Sequence, residues 1–120
     1  MSELQGESVS GISIPTLERI ATRGQVWARV SEQYGVTNPV PPWKSSLDGM
    51  CDALDRSGEA LPFLERRREE DLLSQAVYSA LPAPESQLVA LAHSLVARGL
   101  VDEEALARRM EAVRARLEAA

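Results

Sequence analysis

At 120 residues the chain is long enough to bury most of one hydrophobic core and too short for two. Its composition, 44% hydrophobic and 26% charged, is that of a folded globular protein. A net charge of -5 and a single lysine, Lys44, argue against a nucleic-acid partner, because such surfaces concentrate cations to release counterions from phosphates.

Residues 1–12 are polar and acidic where a signal peptide needs a basic start and an apolar run, and they read as a flexible leader. No stretch approaches the ~20 apolar residues of a membrane span, so no membrane partner is expected. The lone cysteine, Cys51, allows neither an internal disulfide nor a thiolate metal cage, and the cytoplasm is the simplest compartment. Residues 13–120 form the expected single domain. Helical periodicity interrupted by proline and glycine, with no alternating run of Val, Ile and Thr, makes it all-α.

The first helix is expected over 13–36. It starts at Pro15, where a missing N–H costs nothing, with Ser13 as a possible cap, and it stops at Gly35. Its apolar face is Leu17, Ile20, Ala21, Trp27, Val30 and Tyr34, with Gly24 as a possible nick. Residues 37–44 form a stiff extended connector, since three prolines in four positions remove backbone donors and push the preceding residues out of the helical region. Ser45 or Ser46 then caps a short helix bearing Leu47, Met50, Cys51 and Leu54, ended by Ser57 and Gly58.

Leu61 and Pro62 open a third helix with a densely charged middle, Glu65 to Asp71, which reaches Leu72, Leu73, Ala76, Val77 and Tyr78. After the break at Leu81–Pro84 comes a strongly amphipathic helix, with Leu88, Leu91, Ala92, Leu95 and Val96 on its face. Arg98 and Gly99, a cation followed by a left-handed cap, close it. Asp102 caps the last helix, whose stripe is Leu106, Met110, Val113 and Leu117. The sum is about five helices in a small irregular bundle.

His93, the only histidine, lies among apolar neighbours and reads as structural unless the fold brings it a carboxylate or nucleophile. Cys51 has no flanking cation to stabilise a thiolate and reads as a small hydrophobe. Trp27 fits a core face, while Trp43, at the end of the connector, either clamps that segment or faces a partner. The triplet Arg66-Arg67-Arg68 goes further. Consecutive helical residues point about 100° apart, so at least one of the three must lie near the core or a partner, and a guanidinium fork suits an oxyanion at an interface. The bland alternative is a solvated face on which Glu65, Glu69, Glu70 and Asp71 form exposed ion pairs.

From about Pro42 to Leu117 the chain resembles the helical N-terminal domain of the nitrile hydratase beta subunit family, which includes beta subunits of three-subunit relatives such as thiocyanate hydrolase and toyocamycin nitrile hydratase. The residues that carry the likeness are Leu88 to Leu106. They are similar to the family's helix ending in a Leu-Val-x-Lys-Gly-Leu/Ile turn, followed by an acidic-started helix. Pro42-Trp43, Gly58 and Glu65-Arg66-Arg67 keep the family's order and spacing upstream.

The resemblance implies a subunit that covers a cobalt or iron ion held by a Cys-x-x-Cys-Ser-Cys claw in a separate alpha subunit. That motif is absent from this sequence, and no cofactor is expected on this chain. It also implies an arginine that hydrogen-bonds the claw's oxidised sulfurs. Counting back from Gly99 places Arg67 there, or Arg66 or Arg68 if the register slips. Tyr78 falls near a family tyrosine that reaches the alpha subunit.

There are two departures. The family's Tyr-Tyr-x-x-Trp-like signature is replaced by Ala83-Pro84-Glu85-Ser86-Gln87, and the SH3-like barrel of ordinary beta subunits is missing. A three-subunit nitrile hydratase whose barrel is a separate chain, hydrating a small-molecule nitrile to an amide, accounts for this length. So does a nitrile hydratase activator that assists metal loading. A generic helical protein-interaction module is the third reading.

Overall fold

The computed structural model describes residues 9–24, 26–58 and 61–119. They fold as an all-α bundle of six helices: α1 (Pro15–Arg23), α2 (Trp27–Gln33), α3 (Lys44–Ser57), α4 (Phe63–Ala76), α5 (Glu85–Ala97) and α6 (Glu103–Ala119). No helix among the described residues is long and apolar enough to cross a membrane.

The long first helix expected over 13–36 is two helices. Gly24 takes a left-handed φ of 61° that ends α1, and α2 begins afresh at Trp27. Neither start carries its own side-chain cap, and Ser13 hydrogen-bonds Glu18 instead. Carboxylates from distant helices stand in: Thr16 N–H donates to Glu103 Oε2 (3.1 Å) and Trp27 N–H to Glu85 Oε2 (2.6 Å). A carboxylate there satisfies an orphan donor and complements the positive end of the helix dipole. The new direction of α2 leaves Tyr34 exposed, whereas one continuous helix would put it on the core face.

The two tryptophans also differ from expectation. Trp27 is outside both core clusters, and its indole Nε1–H donates to the Asn38 carbonyl (2.8 Å), so it holds the connector. Trp43 packs on the second core cluster and serves as the N-cap of α3, the place assigned to Ser45 or Ser46. The third expected helix stops at Ala76, short of Val77 and Tyr78, while the turn after the fourth and the start of the last follow the sequence reading. Gly99 is left-handed (φ 79°), with Leu100 N–H donating to Leu95 O (2.9 Å) and Gly99 N–H to Val96 O (3.1 Å), the paired bonds of a Schellman motif. The Asp102 carboxylate accepts from Ala105 N–H (2.9 Å) and caps α6.

α5 is the centre. Eight of its 13 residues are buried, four apolar and four polar, so it is covered on more than one side and not along one amphipathic stripe. Val89 and Ala90 join Val9, Ile14, Leu17, Leu73, Tyr78 and Leu81 in the main core. Leu91 and Leu95 face the other way, onto Leu47, with Trp43, Cys51 and Leu54 around them. Of the stretch 1–12 read as a leader, residues 1–8 lie outside the described residues, while Val9 is fully buried.

The side of α4 that packs on α5 is charged. Its buried residues are Arg66, Glu69, Glu70 and Leu73, at helical spacing, each at most 2% exposed. The Arg66 guanidinium donates to Glu70 Oε2 (2.6 Å) and to Asp55 Oδ1 of α3 (2.5 Å). Glu69 accepts from Arg98 and from the Ser94 hydroxyl, both at the end of α5. The expected exposed pairing of Arg66 to Arg68 with Glu65, Glu69, Glu70 and Asp71 is thus replaced by two inward networks.

Removing one partner of such a buried pair strands the other charge in a low-dielectric site. Arg66→Ala is expected to lower the unfolding free energy by about 3 to 5 kcal/mol. Urea denaturation checks this, and a loss below about 1 kcal/mol, the value of an exposed pair, would contradict the buried geometry.

Candidate functional site

The structure separates the arginine triplet. Arg66 is enclosed, whereas Arg67 and Arg68 are exposed on the opposite side of α4. Burial works against the Arg66 charge, but the Asp55 and Glu70 carboxylates outweigh it and hold its pKa above the ordinary arginine value. Burial likewise pushes the Glu70 carboxyl up, with Arg66 opposing. Arg66 is therefore committed to the interior and has no conformation from which to reach another molecule without opening the α3–α4–α5 junction.

Arg67 is differently placed. Its guanidinium carbon lies 5.7 Å from the centre of the Phe63 ring, one turn earlier, a cation–π contact that steadies the long side chain. Among the described residues no carboxylate lies within ion-pairing distance of Arg67 or Arg68. Beside the guanidinium two apolar side chains are exposed on the outward face of α4, Phe63 at 49% and Leu64 at 64%, among the charged Glu65, Arg68 and Asp71. Sequence reading missed these two as surface residues. Phase was an available signal for Leu64, which falls outside the 66, 69, 70, 73 stripe, but not for Phe63, which precedes Glu70 by seven residues and is in phase with it. A planar fork with free donors beside apolar side chains can grip an oxyanion or carboxylate brought by another chain, and loss of water on contact strengthens that grip.

Tyr78 is elsewhere. It is 1% exposed, in the main core of this chain, and its hydroxyl meets His93 Nδ1 at 2.7 Å. The other ring nitrogen, Nε2, lies 2.7 Å from the Val9 carbonyl oxygen. A carbonyl only accepts, so Nε2 carries the proton and Nδ1 accepts from the tyrosine. Both histidine nitrogens are thereby used, and His93 offers no free base. Burial first, and the Glu18 carboxylate second, push the Tyr78 hydroxyl up to about 12.

Cys51 lies beside Arg66, a cation supplied by the fold and not by flanking sequence. Burial nevertheless leads, Glu70 adds to it, and the thiol is pushed above its ordinary value despite Arg66. Cys51 therefore stays a protonated, partly buried hydrophobe. Among the described residues no three His, Cys, Asp or Glu side chains converge as metal ligands. What these groups can do is recognise, through Arg67 and the apolar side chains beside it. No family model, curated protein or solved structure matches the chain.

The Tyr78–His93–Val9 relay carries a stability prediction. Tyr78→Phe leaves a buried acceptor unpaired and is expected to cost about 1 to 3 kcal/mol at neutral pH. The folded state holds the tyrosine proton more tightly than the unfolded chain does. The stabilisation is therefore complete below the ordinary tyrosine value and is lost as pH rises through about 12. Denaturation of both proteins across the alkaline range should show their difference shrinking there, and a constant difference would contradict the assignment.

Proposed function

We propose that this chain is a beta-type subunit of a multi-subunit nitrile hydratase, in which it covers the metal site of a separate alpha subunit and donates Arg67 to that site's oxidised cysteines. The observation that carries the reading is the outward guanidinium of Arg67, without an ion-pairing carboxylate and stacked on Phe63 beside the exposed Leu64. The resemblance over residues 42–117 supports it, with the register counted from the Gly99 turn, whose Schellman bonds and following Asp102 cap are present. The burial of Arg66 also bears on the register, since it leaves only Arg67 and Arg68 of the triplet free to reach another chain.

Sulfenate and sulfinate oxygens are acceptors only, and a guanidinium is all donors, always charged and planar, so the two fit without any proton changing hands. The cobalt or iron ion of the alpha subunit supplies the electrophilic chemistry for adding water to a nitrile. This chain's part is to hold the oxidised sulfurs in one orientation through Arg67 and to exclude bulk water around it with Phe63 and Leu64. Tyr78, enclosed against His93, keeps that scaffold together and does not enter the contact. A separate SH3-like barrel chain would complete the complex.

The test is co-expression with a claw-bearing alpha chain and a barrel chain, followed by sizing, metal analysis and a nitrile-to-amide assay. Wild type is expected to remain in a stoichiometric complex. Arg67→Ala should assemble with metal content intact and lose about 100-fold or more in kcat, the typical cost of removing one preorganised donor. If the chain instead leaves once metal is loaded, and Arg67→Ala changes nothing in the finished enzyme, the activator reading replaces this one.

A further inference from the structure

α6 is the longest helix, yet none of its side chains is buried. Its apolar residues Leu106, Met110, Val113 and Leu117 are spaced four, three and four apart, the rhythm of a coiled-coil seam. Only Leu106, at the near end, packs on the main core. Further along, the seam turns toward α1 and forms the floor of an open groove of about 860 Å³, which Ile20 completes from the α1 side. Met110 is 37% exposed and Leu117 69%. The bond from Thr16 N–H to Glu103 ties the two helices together at the closed end.

The rim of the groove selects its occupant. On an acidic chain its walls carry four arginines, Arg19 and Arg23 from α1 and Arg109 and Arg114 from α6, against two carboxylates, Glu111 and Glu118. Both carboxylates are engaged by Arg114 of their own helix, at 3.8 and 3.2 Å. Among the described residues Arg19, Arg23 and Arg109 have no carboxylate partner; Arg19 reaches only the Thr16 hydroxyl.

With Met110 and Leu117 at a positions and Leu106 and Val113 at d, the flanking e and g positions are Ala107, Arg109, Arg114 and Arg116. Two copies of α6 paired in either direction would set arginine against arginine. The charge pattern therefore disfavours a second copy of this chain and favours a seam flanked by carboxylates.

We infer that the α1–α6 groove is a docking site for an amphipathic helix of a partner protein, with apolar residues along one stripe and Glu or Asp on both flanks. The apolar stripe meets Ile20, Met110, Val113 and Leu117, and the flanking carboxylates meet Arg19, Arg23 and Arg109. This surface is built from α1 and α6 alone and stands whether or not Arg67 has the role proposed above.

The test uses the full chain and two synthetic helical peptides of three heptads, with Leu at every a and d position and either Glu or Lys at every e and g position. The Glu peptide should bind about ten-fold or more tighter than the Lys peptide at low salt, with the gap closing as salt screens the rim. Arg109→Glu with Arg114→Glu should reverse the preference. Met110→Glu should abolish binding of both peptides while leaving the circular dichroism unchanged, since Met110 is exposed and packs on neither core cluster. Equal affinities, or no binding of the Glu peptide, would overturn the inference. So would a wild-type dimer that Met110→Glu converts to monomer, which would assign the groove to a second copy.

Discussion

The bundle depends on how a helix as charged as α4 comes to lie against the apolar centre of the molecule. Arg66, Glu69 and Glu70 are removed from water on its inner face, and desolvating isolated charges costs far more than a small domain can tolerate. The arrangement survives because each charge finds its opposite: Arg66 pairs with Asp55 on α3 and with Glu70 one turn along α4, and Glu69 pairs with Arg98 at the end of α5. These pairings add less to stability than an apolar interface of the same size would, but they are specific. Shifting α4 by one residue would separate Arg66 from Asp55 and Glu69 from Arg98, so these contacts fix its rotation and register against α3 and α5. They also decide which side of α4 is left to face outward.

A second set of long-range polar contacts does similar work for the N-terminal half. α1 has nine residues and α2 seven, too short to persist as isolated helices. Their first turns are held by Glu103 and Glu85, each from the first turn of a helix distant in sequence. The buried His93 adds a tie from α5 to the backbone at Val9. A carboxylate that begins one helix and caps another ties the two starting points together, and the groove between α1 and α6 opens from that tie.

The sequence disclosed what is encoded locally. The left-handed glycine at 99, the Asp102 cap and the all-helical class each follow from a few adjacent residues, and each is present. It was opaque where one element is completed by another. Nothing near Pro15 or Trp27 announces that Glu103 or Glu85 will cap them, so the break at Gly24 read as a nick in one helix. The charged run 65–71 read as a solvated face because its partners, Asp55, Ser94 and Arg98, come from other helices. The clue was periodicity: Arg66, Glu69, Glu70 and Leu73 keep the spacing of a buried stripe, and polarity masked it. Of the candidate site, the arginine triplet was visible and its division was not, because which arginine turns inward depends on the position of Asp55.

That division links stability to recognition within one turn of helix. Adjacent helical residues diverge by about 100°, so once Arg66 is locked to Asp55 and Glu70, Arg67 must project from the molecule, and Phe63, one turn back, falls beneath it. An arginine on a loop would lose considerable side-chain and backbone freedom on meeting a partner. One fixed by its buried neighbour has already lost most of the backbone part. The same reasoning separates the outer face of α4 from the seam of α6. Neither the exposed Phe63 and Leu64 nor the exposed Met110 and Leu117 contribute to a core within this chain. Each apolar group lies beside guanidinium groups without carboxylate partners. Apolar surface alone would invite indiscriminate association, and fixed cations around it restrict the partner to one that brings anions.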